Sequence, residues 1–235
     1  MGKPDIIYED NDIIVCYKPA GIATQTRRIG QQDMESFIRN YRAAKNEPPY
    51  VGIVHRLDQP VEGVMVFAKN QKAAASLSRQ IKEHTTEKYY RAASRGHGVS
   101  GADKKEDNHD PTWHTLTDYI SFDKRTNTSK ITSEKDRQAK KAVLQYRILS
   151  NECNKTEFDI KLLTGRHHQI RLQLANIGYP LIGDTKYGKP SSNNSGTGNV
   201  AGRTGSCVRE QLALCSYKLV FEHPATGERM TFELP

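Results

Sequence analysis

Residues 54–68 constrain this chain more than any other stretch. An apolar approach through Val54 runs into His55-Arg56-Leu57-Asp58. The Pro- and Gly-punctuated turn Gln59-Pro60-Val61-Glu62-Gly63 follows, and Val64-Met65-Val66-Phe67-Ala68 leads away. Read as strand, turn and strand, the pattern puts Arg56 and Asp58 at the mouth of a connection, where side chains carried on a rigid scaffold often do chemistry. The same pattern also describes a plain hairpin corner with one solvated acid. The rest of the chain decides between the two.

A chain of this length buries a substantial core. No apolar run approaches the ~20 residues of a membrane span, so no membrane partner is expected. Met1-Gly2-Lys3-Pro4-Asp5 lacks the basic-then-apolar profile of a signal peptide. Gly2 opens no myristoylation signal, because Ile6 stands where Ser or Thr is needed. The cysteines, Cys16, Cys153, Cys207 and Cys215, form no Cys-x-x-Cys pair. A disulfide framework is therefore not expected, and a reducing, cytoplasmic setting is. Cys16 lies in an apolar run and reads as a buried thiol. The 35 Lys and Arg against 27 Asp and Glu leave a net charge of +8. That surplus favours a polyanion through its phosphates, although charge alone discriminates little.

Asp5 to Tyr8 and Ile13 to Tyr17 read as strands about a Glu9–Asp12 turn. Lys18-Pro19-Ala20-Gly21 breaks the pattern, and a lysine on such a turn is either solvated or within reach of a phosphate. Asp33 to Lys45 predicts a helix, with Met34, Phe37, Ile38 and Tyr41 on one face and Asp33 as N-cap. Pro48-Pro49 forces an extended exit into a strand over Tyr50 to His55. Gln71 to His84 predicts a second helix striped by Ala74, Leu77 and Ile81, with Lys72, Arg79 and Lys82 on a solvated face or a phosphate track. Lys88 to Ala93 reads as a strand whose period of two sends Tyr89 and Tyr90 to opposite faces. One tyrosine then belongs to the core, and the other is free to stack on something flat.

Gly96 to Pro111 and Ser191 to Gly205 have the composition of exposed loops. Trp113 to Phe122 and Ala142 to Leu149 read as strands. The polar Asp123–Lys141 segment between them reads as a solvated hairpin, a disordered stretch, or a set of backbone contacts to RNA. Thr156 to Leu163 alternates with Phe158, Ile160 and Leu162 on one face. Thr164-Gly165-Arg166-His167-His168-Gln169-Ile170-Arg171 opens a helix to about Ile177, with Ile170, Leu174 and Ile177 buried. Arg171 sits about 100° round from Ile170; at the edge of a buried stripe its charge needs a partner or solvent. Gly178-Tyr179-Pro180 ends that helix. Gln211 to Phe221 and Met230 to Leu234 supply the last strands. Short strands interspersed with a few helices predict an α+β fold.

Rival chemistries fail on spacing. His167 and His168 are adjacent, so on a helix they diverge by about 100° and form no i, i+4 metal pair. No Gly-x-x-x-x-Gly-Lys-Ser/Thr or Gly-x-Gly-x-x-Gly phosphate cradle occurs, and no Gly-x-Ser-x-Gly elbow. What the chain offers is an acid, arginines and a tyrosine.

Those residues carry a resemblance. His55-Arg56-Leu57-Asp58 with Gly63 and the strand to Ala68-Lys69 resembles the central motif of the RluA-family RNA pseudouridine synthases. Tyr8-Glu9-Asp10 through Lys18-Pro19-Ala20-Gly21 is similar to the family's N-terminal motif, and Lys88-x-Tyr90-x-Ala92 to its tyrosine strand. Thr164-Gly165-Arg166-x-His168-Gln169-Ile170-Arg171 with Gly178-x-Pro180-Leu181-Ile182-Gly183-Asp184 and Tyr187-Gly188 resembles its arginine helix. The motifs occur in order, and with His223-Pro224 the likeness covers nearly the whole chain.

The resemblance implies the pseudouridine synthase fold, a mixed, largely antiparallel sheet with flanking helices and a central RNA-binding cleft. It implies a monomeric isomerase that converts uridine in rRNA or tRNA to pseudouridine with no metal or organic cofactor. Asp58 would be the nucleophile, Tyr90 the side chain against the target base, and Arg171 the ion-pair partner of Asp58. Arg56 would fill the space left by the extruded uridine. His55, Arg166, His168, Gln169, Ile170 and Lys18 complete the expected substrate-binding set. The chemistry agrees: a base inside a helix must flip out at a cost of a few kcal/mol, and stacking on Tyr90 returns about 1–3 kcal/mol. A neighbouring arginine keeps an attacking carboxylate ionised. Two departures stand out. Val61-Glu62 occupies the place of the family's Thr-Ser and brings a carboxylate near the site. Residues 1–235 read as one catalytic domain with no separate N-terminal RNA-binding module. The competing readings are a non-catalytic RNA-binding or RNA-folding protein and a hydrolase that releases free base.

Overall fold

The computed structural model describes residues 4–26, 30–95, 110–152, 154–188 and 210–235, without side-chain description for 110 and 111. β1 (Asp5–Glu9) and β2 (Ile13–Lys18) pair antiparallel. Their turn is held by the Asp10 carboxylate, which accepts the N–H groups of Asp12 and Ile13 at 2.8 Å each. α1 (Met34–Ala44) begins at Asp33, whose side chain accepts the Ser36 N–H in a reciprocal capping box. Met34 and Ile38 on its apolar face are buried, with Phe37 and Tyr41 packed beside them. The strand expected over Tyr50 to His55 shrinks to β3 (Gly52–Ile53), because Val54–Asp58 leave the ladder before pairing again.

β4 (Glu62–Ala68) is buried on both faces. Met65 and Phe67 join Ile14 and Cys16 of β2 under α1, while Val64 and Val66 join Ile13 and Val15. α2 (Gln71–Lys82) covers the second face through Ala73 and Leu77. Lys72, Arg79 and Lys82 on its other side are exposed. Ile81, expected in the buried stripe, lines a cleft instead.

β5 (Glu87–Arg95), β6 (Asp110–Asp123), β8 (Lys140–Glu152) and β9 (Lys155–Leu162) extend the sheet. The polar 123–141 segment is a structured hairpin. It contains β7 (Thr128–Thr132), which pairs with β6 from Tyr119↔Thr132 to Asp123↔Thr128. Cross-strand pairing with β6 supplies the pattern that the polar composition hid. Of the loops expected over Gly96 to Pro111 and Ser191 to Gly205, residues 96–109 and 191–205 lie outside the described residues, as do Cys153 and Cys207, whereas Asp110 and Pro111 already belong to β6.

α3 (Gln169–Asn176) is followed by β10 (Leu214–Glu222) and β11 (Arg229–Glu233). The strands form one mixed sheet in the order β1-β2-β4-β10-β5-β9-β8-β6-β7, with β3 beside β4 and β11 beside β10. β10 enters the middle, parallel to β4 and antiparallel to β5; every other pairing is antiparallel. The β4–β10 approach requires Gly63. Its φ is +140°, and a Cβ there would lie 2.3 Å from the Ser216 carbonyl oxygen. Among the described residues no helix is long and apolar enough to cross a membrane.

This topology sets two walls facing each other across the centre. The loop before β4 hangs from one half of the sheet. Tyr90 on β5 and the turn leading into α3 belong to the other.

Candidate active site

A cleft of about 700 Å³ opens between these walls. Its first wall is the 55–61 loop, fastened at three points. Leu57 donates its N–H to Thr24 Oγ1 (3.1 Å) and accepts the Thr24 hydroxyl at its carbonyl (2.9 Å). His55 Nε2 accepts the Val66 N–H (3.1 Å), tying the loop to β4. The Gln59 carbonyl accepts the Gly21 N–H (2.8 Å) and Lys18 Nζ (3.2 Å). With Leu57 anchored inward, its neighbours turn outward, leaving Arg56 exposed and Asp58 with a third of its side chain accessible at the cleft.

Two expectations for this wall are corrected. Lys18 does not face a phosphate. It is fully buried, and its ammonium donates to the carbonyls of Pro19 (3.1 Å), Ile22 (2.6 Å) and Gln59, so it acts as an internal strut for the Asp58 loop. Burial lowers its pKa to about 8. The Glu62 carboxylate accepts the Tyr17 hydroxyl (2.9 Å), and Val61 rather than Glu62 lines the cleft. His55 borders the cleft, but its Nε2 serves the backbone. Burial, followed by the charge of Lys88, lowers its pKa to about 3, so the ring is neutral.

The second wall carries Tyr90 and α3. Tyr90 is 6% exposed and lines the cleft beside Leu162, Ile170 and Leu214, an apolar floor suited to one face of a flat ring. Burial raises its phenol to about 12. Tyr89, across the strand, meets Tyr217 at 6.4 Å between centroids.

The helix expected from Thr164 starts five residues later. His168 takes φ +54°, a left-handed conformation that interrupts helical geometry and that non-glycine residues seldom adopt. The buried Gln169 side chain folds back over the gap. Its Oε1 accepts the Thr164 hydroxyl (2.8 Å) and the Arg166 N–H (3.0 Å), while Nε2 donates to Gln173 (2.9 Å). Gln169 is thus committed inside the protein and shapes the turn rather than presenting its amide to substrate. Every residue from Gln169 to Leu174 is buried, so α3 is sunk in the fold rather than striped. Because His167 and His168 precede the helix, their rings do not diverge; they pack together, tilted by 32° with centroids 3.7 Å apart.

Arg171 has a different principal partner from the one expected. Its Nε and Nη2 form a bidentate pair with Asp184, both at 2.7 Å, and Nη1 lies 3.8 Å from Asp58 Oδ2. Burial pushes the Asp184 pKa up, but Arg171 and the N–H groups of Lys186 and Tyr187 outweigh it and hold the carboxyl below its ordinary value. The guanidinium is thereby aimed, with one nitrogen left over for Asp58. Asp184 carried a partner-seeking signal in the sequence, being the acid of the motif downstream of Arg171.

His168 is the third group near Asp58, with Nε2 3.6 Å from Oδ2. Burial and the Arg171 charge lower its pKa to about 3, so this is a neutral imidazole beside a carboxylate and not an ion pair. Its Nδ1 lies 2.8 Å from the Tyr187 hydroxyl, which already accepts the Ser129 N–H (2.8 Å). Ser129 belongs to β7, so the hairpin hidden in the polar segment braces this wall. Arg166 borders the cleft, and its Nε donates to the Lys141 carbonyl (2.9 Å).

The cleft therefore gathers Asp58, Tyr90, Arg171, Arg56, His55, Arg166, His168 and Ile170, with Gln169 behind them; Lys18 alone of the expected set lies elsewhere. An accessible acid beside a fixed guanidinium, above an apolar floor sized for a ring, suits chemistry on a planar base drawn out of a strand.

Residues 12–176 match the RNA pseudouridylate synthase family model. An RNA pseudouridine synthase of Aquifex aeolicus is 34% identical over 241 residues, covering 98% of this chain and 68% of that protein. The ribosomal large subunit pseudouridine synthase D of Neisseria meningitidis serogroup B is 30% identical, covering 98% of this chain and 58% of that one. The chain thus spans roughly three fifths to two thirds of these relatives' lengths. The solved structure of human RNA pseudouridylate synthase domain containing 4 superposes with a TM-score of 0.72 over 98% of this chain and 88% of its own, at 20% identity, and shares the fold. The chain belongs to the RNA pseudouridylate synthase family, whose members are isomerases.

Proposed function

We propose that this protein is an RNA pseudouridine synthase that takes uridines of ribosomal or transfer RNA, flipped out of the strand, with Asp58 as nucleophile. The observation that carries the reading is Asp58, accessible at the cleft and 3.8 Å from a guanidinium that Asp184 holds in place. A carboxylate attacks only when ionised, and Arg171 favours that form. Tyr90 and the apolar floor take one face of the extruded base, and stacking offsets part of the few kcal/mol lost on unstacking. Arg56, exposed next to Asp58, occupies the space the base leaves. Residues 1–235 act as one catalytic domain, and its basic surface supplies the grip on RNA. The setting is cytoplasmic and the active form a monomer.

The test is pseudouridine mapping on bulk cellular RNA incubated with wild type or Asp58→Asn. Wild type is expected to form pseudouridine, and the variant to lose the activity by at least about 10⁴-fold, the scale seen when a nucleophile is removed. An Asp58→Asn protein as active as wild type sinks the mechanism. RNA binding without any uridine conversion by wild type indicates a non-catalytic protein, and release of free uracil a hydrolase.

A further inference from the structure

Beyond the cleft, the same wall carries a second hollow of about 400 Å³, which shares Gly165 and Arg166 with the first. Phe122, near the end of β6, borders it and is 37% exposed, a large apolar side chain left on the surface of a basic protein. Its ring does not stand alone. It packs on His167 with centroids 4.3 Å apart, and His167 packs on His168, whose Nε2 lies 3.6 Å from Asp58. A continuous row of rings thus runs from Asp58 to Phe122.

His167 is locked in this row. Its Nδ1 lies 2.9 Å from Ser129 Oγ, which donates to the His167 carbonyl (2.9 Å). Burial lowers its pKa. Phe122 ends the row partly exposed, and cations line the hollows that it borders. Lys140 and Arg166 border the hollow, and Lys124, Arg125 and Lys130 border the groove of about 850 Å³ that continues along the hairpin. The acids on this rim are engaged locally. Asp123 accepts the Arg125 N–H, and Asp136 accepts the Thr132 hydroxyl and the Gln138 N–H.

We propose that the Phe122–His167 hollow is a second base-stacking subsite, which takes an unpaired nucleotide flanking the target uridine in the same RNA strand. This rests on the reading of the neighbouring cleft as the uridine site. The chemistry is that of single-stranded nucleic acid recognition, an aromatic platform in a cationic groove that tracks the backbone. The occupant is a nucleotide because an exposed aromatic ring stands within a cationic rim, and the hollow shares Gly165 and Arg166 with the cleft and Phe122, Ser129 and Gln138 with the groove. Fixing one flanking base holds the strand in register, so the subsite favours uridines whose neighbour is unpaired.

The experiment measures binding of a fluorescein-labelled oligouridylate, together with pseudouridine formation in bulk RNA, for wild type, Phe122→Ala and Phe122→Tyr. Phe122→Ala is expected to weaken oligouridylate binding about 5- to 100-fold and to raise the apparent KM with kcat unchanged. Phe122→Tyr is expected to restore both, and the melting temperature of each variant to stay at the wild-type value. Unchanged binding in Phe122→Ala, or a loss confined to kcat, overturns the subsite. So does displacement of the oligouridylate by polyglutamate as readily as by unlabelled oligouridylate, which indicates a protein ligand. If wild type makes no pseudouridine yet Phe122→Ala still loses binding, the activity reading fails while the subsite stands.

Discussion

Two acid–arginine pairs of the same chemistry sit in different parts of this molecule, and the contrast explains what makes one of them a site. On one face of the sheet Asp159, its side chain 2% exposed, accepts Arg147 Nε at 3.1 Å and Nη2 at 2.7 Å, and the Tyr217 hydroxyl at 3.0 Å. Its arginines stand at the rim, Arg147 35% and Arg91 46% exposed, so solvent can serve whichever donors the acid does not. In the cleft, Arg171 and Asp184 are 5% and 0% exposed, and the arginine keeps a nitrogen pointed at a third, accessible carboxylate. The first arrangement is closed on itself and fastens strands. The second is incomplete without Asp58, which it polarises at the cost of burying a charge.

The contrast is broken most severely by Asp184→Asn. Arg171 then keeps its buried charge without its partner, and stability is expected to fall by about 3–5 kcal/mol in urea denaturation, with activity lost. Arg171→Met combined with Asp184→Leu sharpens the point. Removing both charges together is expected to cost clearly less stability than Asp184→Asn alone, while activity stays lost because Asp58 has no guanidinium beside it.

Acid supplies the next test. His55 and His168 titrate near 3 in the fold because burial disfavours their charged form, against about 6.5 in the unfolded chain. Between pH 6.5 and 3 the unfolded chain takes up protons that the folded one refuses, so stability is full above pH 6.5 and falls as pH drops toward 3. The slope reaches about 1.4 kcal/mol per pH unit for each such ring. Denaturation at stepped pH is expected to show a shallower fall for His168→Gln; an unchanged slope means that this ring titrates normally. The smallest effect is expected from Asp159→Asn, about 1–2 kcal/mol with activity near wild type, because its arginines rehydrate at the rim. A loss equal to that of Asp184→Asn erases the distinction between the pairs.

The sequence shows some of this more readily than the rest. Short apolar runs exposed β2 and β4, alternation exposed β9, and the Asp33 cap with its i, i+3, i+4, i+7 apolar face exposed α1, because each of these is written in neighbouring residues. β7 was hidden because β6, which pairs with it, and α3, which packs beside it, lie outside its own polar segment. The residues of the cleft were legible as a set of chemical types. Their pairing was not: Arg171 had two acids to choose from, Asp58 and Asp184, and only the fold puts one of them in bidentate reach. Lys18 misled for a related reason. A lysine on a Pro-Gly turn is ordinarily solvated; here its own turn supplies the carbonyls of Pro19 and Ile22, and the distant Asp58 loop supplies that of Gln59.

The position of β10 has a consequence for how the molecule comes into being. The strand joins β4 to β5, yet it is drawn from residues 214–222, whereas its neighbours end by residue 95. Until it is made, the half bearing Asp58 and the half bearing Tyr90 and Arg171 share no strand. Synthesis can complete either half early, but the cleft exists only after the late insertion. Contacts so distant in sequence make for slow closure. The cleft is therefore the last feature the growing chain acquires, and a chain cut short before residue 214 holds Asp58, Tyr90 and Arg171 without the strand that sets them face to face.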